Sequence, residues 1–275
     1  MKLSYYPGCA LHGTALEYDE STRAVAGLLD LELCELPDWN CCGASSAHAV
    51  DGELARRLMA RNLKIVGEQG MDLVIPCAAC YGRFKAAEKE APSPPGQRVL
   101  NLVELLASPE CREKIQARPR RSLSGLKVVC YYGCLLVRPP ALTGAESYEN
   151  PEEMDRLMEL LGAEVIPWSF KTDCCGGSLV LTRTDIVLRL TGRLLDQALR
   201  AGAEAVVVAC PMCQANLDTR QEEISRQAGK EYRLPVLYFT ELLGLALGHP
   251  RARRWVKRHF VDPRGLLQAK GLIAC

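Results

Sequence analysis

The chain has 275 residues, 14 of them cysteines, and a formal net charge of +1. That length holds one large domain or two ordinary ones and buries roughly three quarters of the unfolded surface, so stability does not require a disulfide framework. The near-neutral charge gives no electrostatic basis for binding nucleic acid or a membrane surface, Met1–Pro7 lacks the apolar stretch of a signal peptide, and no apolar run approaches the ~20 residues that span a bilayer. A cytoplasmic setting is expected, in which thiols stay reduced and serve as metal ligands or redox groups.

The elements repeat once along the chain. Each half opens with an apolar strand ending in Gly-Cys: Leu3 to Cys9, then Val128 to Cys134. An amphipathic stretch follows, Thr22 to Leu29 and Pro151 to Leu161, with Pro151 as a helix start. A second strand, Leu31 to Leu36 or Glu164 to Pro167, leads to Cys41-Cys42-Gly43 or Cys174-Cys175-Gly176-Gly177. Long helices are predicted next, Gly52 to Gly67 capped by Asp51 and Asp185 to Ala201 capped by Thr184. Third strands, Asp72 to Pro76 and Ala205 to Ala209, run into Cys77-Ala-Ala-Cys80 and Cys210-Pro-Met-Cys213. Helices over Tyr81 to Glu90 and Gln214 to Gln227 follow these pairs. A fourth strand and a helix close each half: Val99 to Leu102 before Val103 to Ser108, and Val236 to Phe239 before Thr240 to Leu247.

Strands alternating with helices predict an α/β fold of two pseudo-symmetric Rossmann-like lobes, with mainly parallel sheets and one CCG motif each. The expected divisions are a first lobe over 1–109, a polar linker over 110–125 containing Arg118-Pro119-Arg120-Arg121-Ser122, a second lobe over 126–248 and a basic tail over 249–275. Pro92-Ser93-Pro94-Pro95-Gly96 reads as a loop within the first lobe. The eight extra residues of the second half fall near Arg138 to Asn150.

Ten of the cysteines form two copies of one five-membered pattern: Cys9, Cys41, Cys42, Cys77 and Cys80, then Cys134, Cys174, Cys175, Cys210 and Cys213. Cys9 and Cys41 are separated by 31 residues and Cys134 and Cys174 by 39, while the gap from the pair to the CxxC is 34 in both halves. Each cysteine follows a strand, and loops at the carboxyl ends of parallel strands converge on one sheet edge. Each CxxC opens a helix, which puts both sulfurs on one face of the first turn, at the end of the dipole that favours thiolate.

Four readings compete. As small core hydrophobes, the ten cysteines would make two matched arrays a coincidence. A thioredoxin-like dithiol accounts for Cys77 and Cys80 but not for Cys9 or the adjacent pair. Zinc takes four ligands, usually as two spaced pairs, and five thiolates exceed that. A soft, all-sulfur donor set points instead to iron–sulfur chemistry. Gly43, Gly176 and Gly177 then allow close backbone approach and N–H donation to sulfur. Cys34 and Cys130 lie in apolar strands and read as core, while Cys111 and Cys275 have no partners at site spacing. His12 and His48, near Cys9 and the Cys41-Cys42 pair, are candidate proton donors to released thiolates. His249 and His259 belong to the basic tail and are weaker candidates, and that tail reads as a solvated helix end or a docking surface for an acidic partner.

The two arrays, with Tyr6-Pro7-Gly8-Cys9 opening one and Tyr132-Gly133-Cys134-Leu135-Leu136-Val137-Arg138-Pro139-Pro140 the other, resemble the B-type subunit of heterodisulfide reductase, in the CCG cysteine-rich superfamily. The resemblance covers nearly the whole chain and no cysteine of either set is missing. It implies that each set holds a noncubane [4Fe-4S] cluster and that the two clusters cleave a disulfide between them, the CoM-S-S-CoB heterodisulfide or a related thiol substrate. The chain has no fused ferredoxin segment and no GxGxxG fingerprint, so the resemblance implies that electrons come from an iron–sulfur subunit of the C type and a flavin subunit of the A type. CCG domains also serve as electron-transfer subunits of lactate-, glycolate- and succinate-oxidising complexes. That alternative and a structural zinc module stay open.

Overall fold

The computed structural model describes residues 1–44, 47–90, 92, 94, 96–118 and 121–274. Ser93, Pro95, Pro119, Arg120, Cys275 and the side chain of His48 lie outside the described residues. Short apolar runs build two four-stranded sheets, and every pairing in them is parallel. The first contains β1 (Lys2–Tyr5), β2 (Glu32–Glu35), β3 (Leu73–Ile75) and β4 (Val99–Asn101) in the order β2-β1-β3-β4. The second contains β5 (Lys127–Tyr131), β6 (Glu164–Val165), β7 (Ala205–Val208) and β8 (Val236–Tyr238) in the order β6-β5-β7-β8. The central strands read as unbroken apolar runs because helices cover both sheet faces; Leu73, Val74 and Ile75 are buried, as are Ala205 to Val208. The α/β, two-lobed expectation holds, and the identical strand order makes the lobes structural repeats.

Local rules account for most helix ends. Asp51 caps helix Gly52–Gln69 by accepting the Glu53 and Leu54 N–H groups at 2.9 and 3.0 Å, and Gly70 ends it at φ +64°. Elsewhere the prediction needs correction. Thr184 does not cap its helix: it is the first residue of Thr184–Ala201, and its hydroxyl donates back to the Val180 carbonyl at 2.9 Å. The stretch expected to form one helix after Cys213 breaks at Arg220 into Pro211–Thr219 and Gln221–Ala228. Helix Glu153–Leu160 starts two residues after Pro151. The polar linker contains a helix, Pro109–Ala117, with Cys111 buried on its inner face. Cys34 is half-buried rather than core, because β2 is the edge strand.

The lobes meet through helix Leu16–Leu28 of the first and helix Phe239–Ala246 of the second. The meeting face is polar as well as apolar. Glu17, Ser21 and Thr22 are buried there, and Ser21 Oγ lies 2.7 Å from Thr240 Oγ1. Tyr18 stacks on Tyr238 with ring centroids 4.1 Å apart and planes 4° off parallel. The tail seals this seam. Trp255, Val256, Leu267 and Leu272 are buried, and Trp255 Nε1 donates to Glu20 at 3.1 Å. The solvated helix end read from the tail's charge therefore describes only its outer face.

Candidate metal centre

Each array is delivered by the carboxyl ends of its strands. β1 runs through Pro7 into helix Gly8–Leu11, which carries Cys9, and β3 runs through Pro76 to Cys77, with Cys80 in the first turn of helix Ala78–Glu90. Cys41 and Cys42 follow β2 on a loop tied down by Asn62. Asn62 accepts the Asn40 N–H at 3.0 Å and donates to the Asn40 carbonyl at 2.9 Å. In the second lobe β5 leads to Cys134, β6 leads through Trp168 and Lys171 to Cys174 and Cys175, and β7 leads to Cys210 at the start of helix Pro211–Thr219. That second loop is pinned by a buried ion pair of Lys171 and Asp155 at 2.8 Å, and the Lys171 carbonyl accepts the Tyr132 and Gly133 N–H groups.

All ten cysteines are free thiols that gather as two groups. Sγ separations are 4.0 Å for Cys9–Cys41, 3.1 Å for Cys42–Cys80 and 3.6 Å for Cys175–Cys213. Cys42, Cys77, Cys80, Cys175, Cys210 and Cys213 are buried, whereas Cys9, Cys41 and Cys174 are exposed and Cys134 is half-buried. Each array thus has three inner sulfurs and two outer ones. The arrays adjoin at the seam, where Cys77 and Cys210 act on each other: Cys210 raises the Cys77 thiol, while Cys213 and then Cys77 lower that of Cys210. Above them the Tyr18 hydroxyl lies 3.3 Å from the Pro76 carbonyl and 3.1 Å from the Ala209 carbonyl, the residues just before those two cysteines.

Electrostatics favour thiolate at Cys42 in the first pair and at both cysteines of the second. Hydrogen bonds from Cys41 and Cys80, with the Ala44 N–H and the Arg83 charge, pull Cys42 down to about 3. The Cys134 hydrogen bond lowers Cys174 to about 6, and Cys213 lowers Cys175. The partners Cys41, Cys80, Cys134 and Cys213 are pushed up by the same bonds. Backbone N–H groups face the outer sulfurs, Gly43 donating to Cys41 at 3.4 Å and Gly176 to Cys174 at 3.3 Å. Asn216 adds its amide 3.6 Å from Cys175 Sγ.

Two features of the donor set fit an iron–sulfur group. First, the sulfurs are cradled by glycines with no room for a side chain. A Cβ on Gly8 would come within 3.1 Å of Cys80 Sγ and one on Gly133 within 2.8 Å of Cys213 Sγ, and both have positive φ. Second, a 240 Å³ cavity is lined by all five cysteines of the first array and, from the second lobe, by Val180, Leu181, Met212 and Asn216. Five soft donors around a cavity of that size fit a multi-iron group. Among the described residues no three ligating side chains are posed around a point that would hold a single ion.

The histidines divide. His12 lies beside the first array, with Nε2 3.0 Å from Glu35 Oε1 and its ring against Trp39 at 5.2 Å. His48 belongs to helix Ala47–Val50, and its side chain lies outside the described residues. His249 stacks on Trp255 at 5.0 Å, away from the cysteines. His259, expected on the tail surface, is buried behind the second CxxC helix. Arg83, Tyr18, Asn62 and Asn216 were not legible as site neighbours. Only the matching places of Arg83 and Asn216, three residues after Cys80 and Cys213, hinted at a role.

Known proteins resemble this chain. The family model of the CCG cysteine-rich domain matches twice, over residues 3–85 and 128–218. The chain is 30% identical to the 8-methylmenaquinol:fumarate reductase membrane anchor subunit of Wolinella succinogenes, over 95% of this chain and 97% of that protein. It is 28% identical to the B-type subunit of the ferredoxin:CoB-CoM heterodisulfide reductase of Methanosarcina mazei, over 90% and 89%. It is 26% identical to a protein of Archaeoglobus profundus that is like the same heterodisulfide reductase subunit, over 90% and 91%. A hypothetical protein from Helicobacter pylori shares the fold at a TM-score of 0.73 and 10% identity, with 95% of this chain matching 52% of that one. No helix among the described residues is long and apolar enough to cross a membrane. With ten cysteines in two matched arrays and the family model spanning both lobes, the chain belongs to the CCG cysteine-rich domain family and is a homologue of the B-type subunit of heterodisulfide reductase.

Proposed function

We propose that the chain is the disulfide-reducing iron–sulfur subunit of a heterodisulfide reductase-like complex. Cys9, Cys41, Cys42, Cys77 and Cys80 would hold one noncubane [4Fe-4S] cluster, and Cys134, Cys174, Cys175, Cys210 and Cys213 the other. When bound, these groups supply one electron each and soft iron for a substrate sulfur. The overall reaction is R–S–S–R′ plus two electrons and two protons giving two thiols, with the electrons supplied through a C-type iron–sulfur subunit and an A-type flavin subunit. The observation that carries this reading is the first array's cavity, which is lined by all five of its cysteines and by Gly177, Met212 and Asn216 of the second lobe, residues that flank the second array.

The chain's own residues do the rest. The glycine N–H groups at Cys41 and Cys174 stabilise sulfur charge. Val180, Leu181 and Met212 give the first array's cavity an apolar border on the second lobe, and Arg83 adds a fixed positive charge near Cys42. His12, with Nε2 3.0 Å from Glu35, would pass a proton to a departing thiolate. The test is anaerobic purification with iron and sulfide analysis, electron paramagnetic resonance with and without added thiols, and turnover of disulfides with a chemical reductant. Two clusters, a thiol-dependent spectrum and turnover are expected; zinc in place of iron, or a spectrum indifferent to thiols, would sink the proposal.

A second reading is favoured by the 30% identity to the fumarate reductase subunit: an electron-transfer subunit whose partner does the chemistry. Cys42→Ser separates the two when disulfide turnover and electron transfer to a partner are assayed side by side. Loss of transfer in the variant of a protein that turns over no disulfide favours this alternative.

A further inference from the structure

The basic tail places one ionisable group inside the protein. His259 is 7% exposed and sits behind helix Pro211–Thr219, which carries Cys213. Its Nε2 is 2.9 Å from Glu241 Oε2 and 3.0 Å from Oε1. Its Nδ1 is 3.0 Å from Gln214 Nε2 and 3.8 Å from Asp218 Oδ2. Asp218 fixes the tail in turn, accepting the Phe260 N–H at 2.8 Å, the Val261 N–H at 3.0 Å and the Gln214 amide at 3.0 Å. Gln214 is the residue after Cys213.

The first lobe is built differently at the equivalent place. Asp218 follows Cys213 by five residues, and Lys85 follows Cys80 by five. Glu241 and Glu104 are likewise equivalent, each in the helix after the fourth strand. In the first lobe the cations acting on the glutamate are Lys85, from the CxxC helix itself, and Arg98. In the second lobe that position is acidic, and the tail supplies an imidazole to both carboxylates.

We propose that His259 is a positioning residue for the second cysteine array, acting through Gln214, so that the protonation state of one buried imidazole sets the environment of Cys213. The hydrogen bonds define two states. With neutral His259, Nε2–H donates to Glu241 and Gln214 Nε2 donates to both Nδ1 and Asp218. With protonated His259, Nδ1–H becomes a donor and the Gln214 amide can no longer serve both partners, so it must move or turn over. Burial works against the charged form, but Glu241 and then Asp218 and Glu17 outweigh it and raise the group to about 9. The other charged or titratable groups around it are Tyr238, whose ring is 6.3 Å away, Arg258 and Asp262.

This inference rests on the iron–sulfur reading of the arrays. The test is redox titration of the reduced holoprotein, followed by electron paramagnetic resonance from pH 6.5 to 10, for wild type, His259→Gln and the double variant His259→Gln/Glu241→Gln. In wild type one of the two centres is expected to follow pH, its reduced fraction at fixed potential falling roughly tenfold as one charge about 10 Å away is lost at an effective dielectric of about 20. The double variant keeps a neutral hydrogen-bonded pair, so it retains fold and iron while that pH dependence disappears and the other centre is unchanged. Both centres moving together, neither moving in wild type, or an unaltered pH profile in the double variant would overturn the inference. A wild-type protein without iron–sulfur centres would refute the underlying reading, and this inference with it.

Discussion

Replacing Tyr18 by phenylalanine tests whether the two arrays are held in register from their shared seam. Tyr18 is fully buried, and its hydroxyl has one proton to share between the Pro76 and Ala209 carbonyls at 3.3 and 3.1 Å. Tyr18→Phe keeps the stacking on Tyr238 and removes only that donor. Losing one partner of a buried hydrogen bond costs about 1–3 kcal/mol. At ~2–4 °C per kcal/mol for a chain of this size, the melting temperature should fall by roughly 2–12 °C. Because the two carbonyls precede Cys77 and Cys210, iron incorporation should decline in both arrays together. Ser21→Ala, on the same helix, removes the 2.7 Å contact to Thr240 and so provides a control that should lose stability without losing iron. The assays are anaerobic thermal unfolding and iron quantification, with electron paramagnetic resonance to distinguish the centres. A melting temperature within about 1 °C of wild type, or iron loss confined to one array, would refute the reasoning.

Gly133→Ala should deplete the second array selectively, since the new Cβ would lie 2.8 Å from Cys213 Sγ at a φ of +67°, which alone costs an L-residue about 1–2 kcal/mol; unchanged iron content in the variant would count against the cradle. Asn62→Ala should free the Cys41–Cys42 loop by removing both bonds to Asn40, costing roughly 1–3 kcal/mol and speeding alkylation of Cys41 by a thiol reagent, and an unaltered alkylation rate would argue that the loop is held some other way. Stability should also depend on pH through His259. Its value of about 9 in the folded protein exceeds the ordinary 6.5, so its contribution is complete below about pH 6.5 and is lost as pH rises through 9. That difference is worth about 3 kcal/mol, and denaturant unfolding at about pH 6.5 and 9.5 should show it in wild type but not in the His259→Gln/Glu241→Gln variant.

The repeated arrays were legible because a strand, a glycine and a cysteine recur at matched spacing, and because parallel strands deliver their carboxyl ends to one edge. The parallel pairing followed from the same alternation. What stayed hidden depends on contacts between distant parts of the chain. Tyr18 and Ala209 are 191 residues apart, and no local pattern marks a tyrosine that touches the backbone of both lobes. His259 looked like part of a charged tail because its neighbours are arginines and lysines. Its burial follows from Glu241 and Asp218, which gain a partner only when the tail folds over them. Thr184 has the residue type of a cap, but a 3-10 turn over Gly177–Leu181 precedes it and its hydroxyl bonds the Val180 carbonyl instead.

The seam between the lobes has a bearing on how the protein is made. Helix Leu16–Leu28 leaves the ribosome well before Thr240, which meets Ser21 and is encoded 219 residues later. At ~5–20 residues per second, synthesis of that interval takes roughly 10 to 45 s. Through that time the nascent first half presents a face bearing Glu17, Tyr18, Ser21 and Thr22 with its eventual cover still untranslated. The polar groups on that face keep it from being a purely greasy target for aggregation, and they make it selective for its own late-arriving mate.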